Sequence, residues 1–441
     1  MSFETIIKNG LLVYPEKTEK GSIGISHGVI TVLAPDTKES AGTIIDATGM
    51  YIFPGFIDPH VHPAYVDDIA AVSKTAAAGG VTSLLHYTSV KPGEKAVEVL
   101  SQLREAGEKG SYTDFALHAS LFDTLKQCEE IPALAKMGVR SIKMFTAYQK
   151  LGWMTGDYAL AKAMDLVAAE NGIVSVHAEN GCIIDFLEEK NAPVTADNFP
   201  TTSPSLLDKE AIFRVLCAAK TTGCLLYLPH ISSQKGLEAM ALGREEGIRF
   251  YSETCPHYLA FTWDELKDRG PLGRLRPPVK NTEDRDALWA ALSDNFIDTI
   301  GSDHAPKDKK PKDDFAAAPY GAPGVQTILP VIWELGVNRG RLTASDMIRL
   351  CAENPAKIFG LAPKKGRLAE GADADIIVFD PTENWTIKHS NQLSNAPYTL
   401  YEGMKIQGKI VKVFQRGKLL VDEDEFTGET PDGRFLETHP G

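Results

Sequence analysis

Four histidines, an aspartate and a lysine stand in this chain where the local pattern gives each a chemical meaning. His60 and His62 follow FPGFID as an H-x-H pair. The alternation of an extended chain sends both imidazoles to one side, where they can share a cation. His177 closes GIVSVH, His230 closes LLYLPH and Asp303 closes DTIGSD. One polar residue at the end of a strand is readily explained as a hydrogen-bonded core edge. Five of them at the ends of four strands are better explained together, as ligands to divalent metal. Nitrogen and oxygen donors without thiolate suit zinc, with manganese, cobalt or iron as other occupants.

Lys143 is a different kind of signal. It lies inside the apolar run of VRSIKMFTAY, where a bare ammonium is costly unless paired or neutralised. Two chemistries would give such an amine a reason. One is a Schiff base; the other is addition of CO₂ to give a carbamate, whose two oxygens can bridge a pair of cations. The neighbouring ligand set favours the carbamate.

Residues so far apart in sequence converge only if a repeated scaffold gathers strand ends. Short apolar runs here alternate with longer stretches of helical spacing, the pattern of βα units around a parallel sheet. Eight runs read as strands: MYIFPGFID, VTSLLHY, DFALHA, VRSIKMF, GIVSVHA, CLLYLPH, IRFYSET and DTIGSD. AVEVLSQLREAGEKG and EAIFRVLCAAKTTG between them carry helical periodicity. Eight strands close a (β/α)₈ TIM barrel, whose chemistry sits at the C-terminal ends of its strands. An open doubly wound sheet would alternate in the same way, but no glycine-rich dinucleotide fingerprint follows the first strand. The charged run KDKKPKDD at 307–314 reads as a solvated loop near the eighth strand.

The two chain ends have another texture. Short β-rich runs are punctuated by Asn9-Gly10, His27-Gly28 and Arg416-Gly417, each read as a turn. Residues 1–53 and 366–441 are therefore expected to form one small β-sandwich domain, and residues 54–365 the metal-dependent barrel.

Composition narrows the partners. The 441 residues carry a formal net charge of −13, so nucleic-acid backbones and anionic membranes are disfavoured and a small molecule is the expected partner. The start, MSFETIIKNG, lacks a cationic region followed by an apolar stretch, and no run approaches the length of a membrane span. Six cysteines without C-x-x-C spacing read as free thiols of a cytoplasmic protein.

At these residues the chain resembles the cyclic amidohydrolases, the group of hydantoinases, dihydropyrimidinases, allantoinases and dihydroorotases. The resemblance runs from about residue 3 to 425 and rests on GFIDPHVH, SIKMFTAY, VHAEN, ETCPHYL, GSDHAP, PGVQT and NPAKIFGL with KGRLAEGADADIIVFDP, in that order. It implies that His60, His62 and Asp303 bind one divalent metal, with zinc the default, that His177 and His230 bind a second, and that carboxylated Lys143 bridges them. It further implies a metal-bridging hydroxide as nucleophile, Asp303 as general acid and base, Tyr148 as hydrogen-bond donor to the oxyanion, and a homo-oligomer of two or four chains.

The ring that is opened is read from smaller differences. Dihydroorotases similar to this chain place an arginine two positions after the second metal-binding histidine; HVHPAY has Ala64 there. SLLHYTSVKPGEKAVEVL resembles hydantoinases and dihydropyrimidinases, whereas ETCPHYL and GSDHAP lean toward allantoinase or dihydroorotase. A hydantoin- or dihydropyrimidine-type ring leads, with allantoin and then dihydroorotate as alternatives. At two positions where hydantoinases contact the ring through the main chain, this sequence has Arg276 and Tyr320, and Arg276 could clamp an acidic ring substituent. His86 and His118 are expected to line the mouth, and His257 and His304 to support the ligands by hydrogen bonds. A deaminase on the same barrel would manage without a bridging lysine, and a non-catalytic scaffold would have lost the ligands; this chain keeps both.

Overall fold

The computed structural model describes residues 2–34, 39–423 and 425–441. Its first strands, β1 (Ser2–Val13), β2 (Thr18–Ser26), β3 (Val29–Ala34), β4 (Ser40–Asp46) and β5 (Tyr51–Pro54), belong to one sheet. His27 and Gly28, at φ 54° and 77°, form the tight turn between β2 and β3. Asn9-Gly10, expected to turn, does not. β1 runs through it with Asn9 at φ 65° and a slip in the β1–β2 register between Ile7 and Gly10, so the dipeptide makes a bulge. The uninterrupted strand can then pair with β2 on one side and with β4 and β5 on the other.

MYIFPGFID likewise holds two strands. β5 closes at Pro54, and β6 (Phe56–Val61) opens the barrel after the single residue Gly55. A Cβ at Gly55 would lie 2.1 Å from Thr82 Oγ1, so the Thr82 side chain fits against the backbone there only because the residue is glycine. The barrel continues with β7 (Val81–Tyr87), β8 (Asp114–Ser120), β9 (Ser141–Phe145), β10 (Ile173–His177), β11 (Leu225–Leu228), β12 (Phe250–Thr254) and β13 (Thr299–Ile300). Each is paired with its neighbours in chain order, and a parallel bridge between Val61 and His304 joins the two ends of the series. This is the expected (β/α)₈ barrel, with helices such as Ala96–Gly110 and Ser205–Thr222 where the periodicity places them.

Strands buried on both faces must be apolar on both. Leu84, Phe115, Leu117, Ile142, Val174 and Leu226 pack into the large core shared with the helices. Alternate positions, Ile57, Leu85, Ala116, Ile173 and Tyr227, cluster with Phe359 inside the barrel. Rings climb from that plug: Phe359 to His118 at 5.4 Å, His118 to Tyr87 at 4.2 Å, and Tyr87 to His60 at 4.5 Å between centroids. The interior is thus a solid pedestal beneath the strand ends.

After the barrel, β14 (Ile376–Thr386), β15 (Lys405–Gln415), β16 (Lys418–Asp422) and β17 (Glu425–Phe426) return to the first sheet. The strand order is β17-β16-β15-β14-β5-β1-β2-β3, with β4 beside β1. Both chain ends therefore build the second domain, over its own core of Ile7, Ile23, Ile30, Ile52, Ile376 and Val378. Arg416-Gly417 turns β15 into β16 as expected, at φ 45° and 74°. The charged run at 307–314 is not wholly solvated. Lys309 is 1% exposed and donates to the carbonyl oxygens of Leu272 and Arg274, which satisfy the buried ammonium.

Candidate metal centre

His60 and His62 leave β6 on one side, with ring centroids 5.4 Å apart, and each Nε2 lies 3.2 Å from Asp303 Oδ1. His177 ends β10, and His230 stands two residues beyond β11. Their Nδ1 and Nε2 atoms face each other at 3.0 Å, and the His230 ring is 5.4 Å from that of His60. Lys143, in the middle of β9, is 1% exposed. Its Nζ lies 4.9 Å from the Tyr87 ring and has no hydrogen-bond partner among the described residues. All six expected ligands are brought to the C-terminal end of the barrel.

Burial sets their charge states. It brings His62 down to about 4 and lowers His177 and His230 too, leaving neutral imidazoles with lone pairs to offer. It brings the Lys143 amine down to about 7, against the pull of Asp303 and Glu253. Burial works against the Asp303 carboxylate as well, but His60 and the hydrogen bond from His62 hold it well below the usual carboxylate range. His60, His62 and Asp303 offer three ligand atoms all within 4.8 Å of one another. Neutral imidazoles, an ionised carboxylate and an unpartnered amine are a donor set that fits divalent cations.

Two carboxylates that the sequence reading passed over orient the imidazoles. Glu253, fully buried at the end of β12, accepts from His60 Nδ1 at 2.7 Å, from the His230 backbone N–H at 3.1 Å and from the Tyr227 hydroxyl at 2.8 Å. Glu179 accepts from His177 Nε2 at 2.8 Å and from the Ser203 hydroxyl at 2.7 Å. Such bonds fix the tautomer that presents the opposite nitrogen to a cation. A glutamate inside the apolar run of IRFYSET was the available signal, of the same kind as Lys143. Gly301 serves this contact: a Cβ there would lie 2.5 Å from Glu253 Oε2.

The loops that leave these strands are bent hard. Tyr65, Tyr148, His230 and Asp303 hold φ of 74°, 66°, 43° and 48°, in the left-handed region that side chains other than glycine avoid. Tyr148 is half-buried, with its ring 4.9 Å from that of His177. Burial, and then the charge of Glu179, keep its hydroxyl protonated well above the ordinary phenol value.

The remaining histidines divide. His304 is locked in place, with Nε2 3.2 Å from Asp67 Oδ2 and Nδ1 accepting from the Gly324 N–H at 3.1 Å. His257 does not make the expected hydrogen bond at Nε2, which is buried and unpartnered among the described residues. Neither His86 nor His118 lines the mouth. His86 is fully buried 6.2 Å from Phe115, in register with Val61, and His118 lies in the pedestal, bonded to Ser141 Oγ and the Pro59 carbonyl. Arg276 and Tyr320 do meet. The Arg276 guanidinium donates through Nη2 to Glu188 Oε1 at 2.6 Å and to the Tyr320 hydroxyl at 2.7 Å.

Comparison with known proteins agrees with this geometry. Residues 51–420 match the model of the amidohydrolase family. The chain is 34% identical to a D-hydantoinase of Ralstonia pickettii, over 98% of each. It superposes with TM-score 0.93 and 29% identity on a dihydropyrimidinase from Brevibacillus agri NCHU1002, covering 99% of each chain. On an L-hydantoinase (dihydropyrimidinase) from Arthrobacter aurescens the TM-score is 0.92 at 30% identity, covering 99% of this chain and 100% of that one. With its barrel, its convergent metal-capable side chains and these likenesses spanning nearly its whole length, the chain belongs to the amidohydrolase family.

Proposed function

We propose that this chain is a binuclear metal-dependent hydrolase that opens a cyclic amide ring of the hydantoin or dihydropyrimidine type. The observation that carries the reading is Lys143: a buried amine among four histidines and an aspartate, without a hydrogen-bond partner among the described residues. A mononuclear centre would have no use for it, whereas its carbamate would supply the shared anionic ligand. The hydantoinases and dihydropyrimidinase that align over nearly the full length support the ring class.

His60, His62 and Asp303 would hold one divalent cation and His177 and His230 the other, with carboxylated Lys143 between them. When bound, the cations, zinc by default, supply Lewis acidity and water acidified to near neutrality. Asp303, kept ionised by its histidine neighbours, takes a proton at its carboxylate during attack and returns it to the leaving ring nitrogen. Tyr148, kept protonated by burial, donates its hydroxyl to the carbonyl oxygen as negative charge grows there. Glu253 and Glu179 hold the imidazoles in the required tautomers.

The test is a ring panel: zinc-loaded protein in bicarbonate buffer with hydantoin, dihydrouracil, allantoin and dihydroorotate, following the ureido or carbamoyl acid released. Opening of hydantoin or dihydrouracil is the expected result. Protein that binds zinc and opens none of the four overturns the proposal.

A further inference from the structure

The loops at residues 272–280 and 304–320 gather positive charge in a protein whose net charge is −13. Arg274, Arg276 and Lys309 are all buried, and Lys307 is half-buried. Arg274 donates to the carbonyl oxygens of Ala316 and Ala318 and to the Tyr320 hydroxyl, and Lys309 to those of Leu272 and Arg274. Lys307 lies over the Tyr65 ring at the mouth. Among the described residues, the one carboxylate hydrogen-bonded to any of these four cations is Glu188. Carbonyls satisfy donors without cancelling charge, so Arg274 and Arg276 keep theirs, while burial brings the Lys307 and Lys309 amines down to about 7.

This rim adjoins the metal ligands on both flanks. Lys307 follows Asp303 by four residues, and burial lowers its amine against the pull of that carboxylate. Arg276 acts electrostatically on His177, Glu179 and Tyr148, and its guanidinium is 4.7 Å from the Tyr320 ring. The Arg276 side chain is 3% exposed, yet its Nε has no partner among the described residues. Glu188, its carboxylate partner, is the more exposed of the two at 20%. A guanidinium presents five donors in a planar fork, and Glu188 engages it through Nη2 alone.

Resting on the ring-opening reading above, we infer that the preferred ring carries a carboxylate on a short arm, and that Arg276 holds this group by exchanging it for Glu188. The incoming carboxylate replaces one anion with another, so the buried cation is never left uncompensated. It also engages donors that Glu188 leaves unused. Lys307 adds attraction across the mouth without touching Arg276.

The experiment compares kcat/KM for hydantoin and for hydantoin-5-acetate with the zinc-loaded protein. Wild type is expected to favour the acetate, and Arg276→Ala to lower the acetate-to-hydantoin ratio by about tenfold or more through KM, the scale of a lost charge-assisted pair. Glu188→Gln is expected to raise the ratio, because it weakens the competing anion; a merely structural ion pair would give no such gain. A ratio within about threefold of wild type in Arg276→Ala, or a lower ratio in Glu188→Gln, overturns the inference. Should Arg276→Ala not fold, Lys307→Met reads the same rim and must lower the ratio, an unchanged ratio again overturning it. If neither of these rings is opened, the hydrolase reading is judged by the four-ring panel, separately from the anion site. Calorimetric binding of hydantoin-5-acetate to wild type but not to Arg276→Ala would then still support the anion site, and equal binding would remove it.

Discussion

Among the described residues, two clusters have the composition of a cation site, and they differ in whether the chain supplies cations of its own. His60, His62 and Asp303 converge at the C-terminal ends of the barrel strands; Asp114, Asp373 and Asp375 converge at the start of β8, on the opposite face. In the second cluster the chain brings its own cations. Lys365, 2% exposed, pairs with Asp114 at 2.5 Å, Asp375 at 2.7 Å and Asp373 at 2.9 Å, and Arg416 also pairs with Asp114. In the first cluster the neighbours are neutral imidazoles and an amine drawn down to about 7. The difference teaches that convergent carboxylates do not define a metal site by themselves. What matters is whether the fold leaves their charge, and the nearby lone pairs, unanswered.

Changing the lysine at the heart of each cluster should have opposite consequences. Lys143→Met should lower kcat/KM for ring opening by about 10³-fold or more and reduce bound metal, while leaving the denaturation midpoint near wild type. Metal analysis alongside the rate checks it, and full metal content with normal turnover would erase the contrast. Lys365→Met should do the reverse, costing about 3–5 kcal/mol of stability by stranding buried carboxylates. Urea unfolding measures this, with turnover per folded molecule expected to persist. Burial raises Asp114, but Lys365 and Arg416 together hold it below the usual carboxylate range. Its contribution is therefore complete above the ordinary carboxylate value and is lost as pH falls through the depressed one, so acid should erode the wild type's advantage over Lys365→Met. The smallest effect belongs to Tyr148→Phe, which removes a donor and no ligand. About 10- to 100-fold should be lost from kcat with metal content unchanged, and a change in metal content would move Tyr148 into the ligand set.

Legibility in the sequence followed the same physics. His60, His62, His177, His230 and Asp303 were readable because each interrupts or closes an apolar run, and Lys143 because a charge inside a strand demands a reason. Glu253 carried that signal too, yet a glutamate near the end of IRFYSET also passes for an exposed residue. His86 shows the limit from the other side. It ends a strand as His177 does, but strand alternation turns it behind the sheet while its neighbour Tyr87 enters the barrel. Asn9-Gly10 reads as a turn, and whether it turns the chain or bulges it depends on partner strands that arrive from distant sequence. The pairing of Arg276 with Glu188 spans 88 residues and three loops' worth of geometry, beyond any local pattern.

Gly55 joins a strand of one sheet to a strand of the other with no slack between them. His60 lies five residues further on, so the position of the first imidazole is indexed to the terminal domain as rigidly as to the barrel. A chimera that grafted this barrel onto a relative's terminal sheet would have to place its crossovers away from residues 51–61 and carry Thr82 along with Gly55, because the seam between the two domains is also the mounting of the first two candidate ligands.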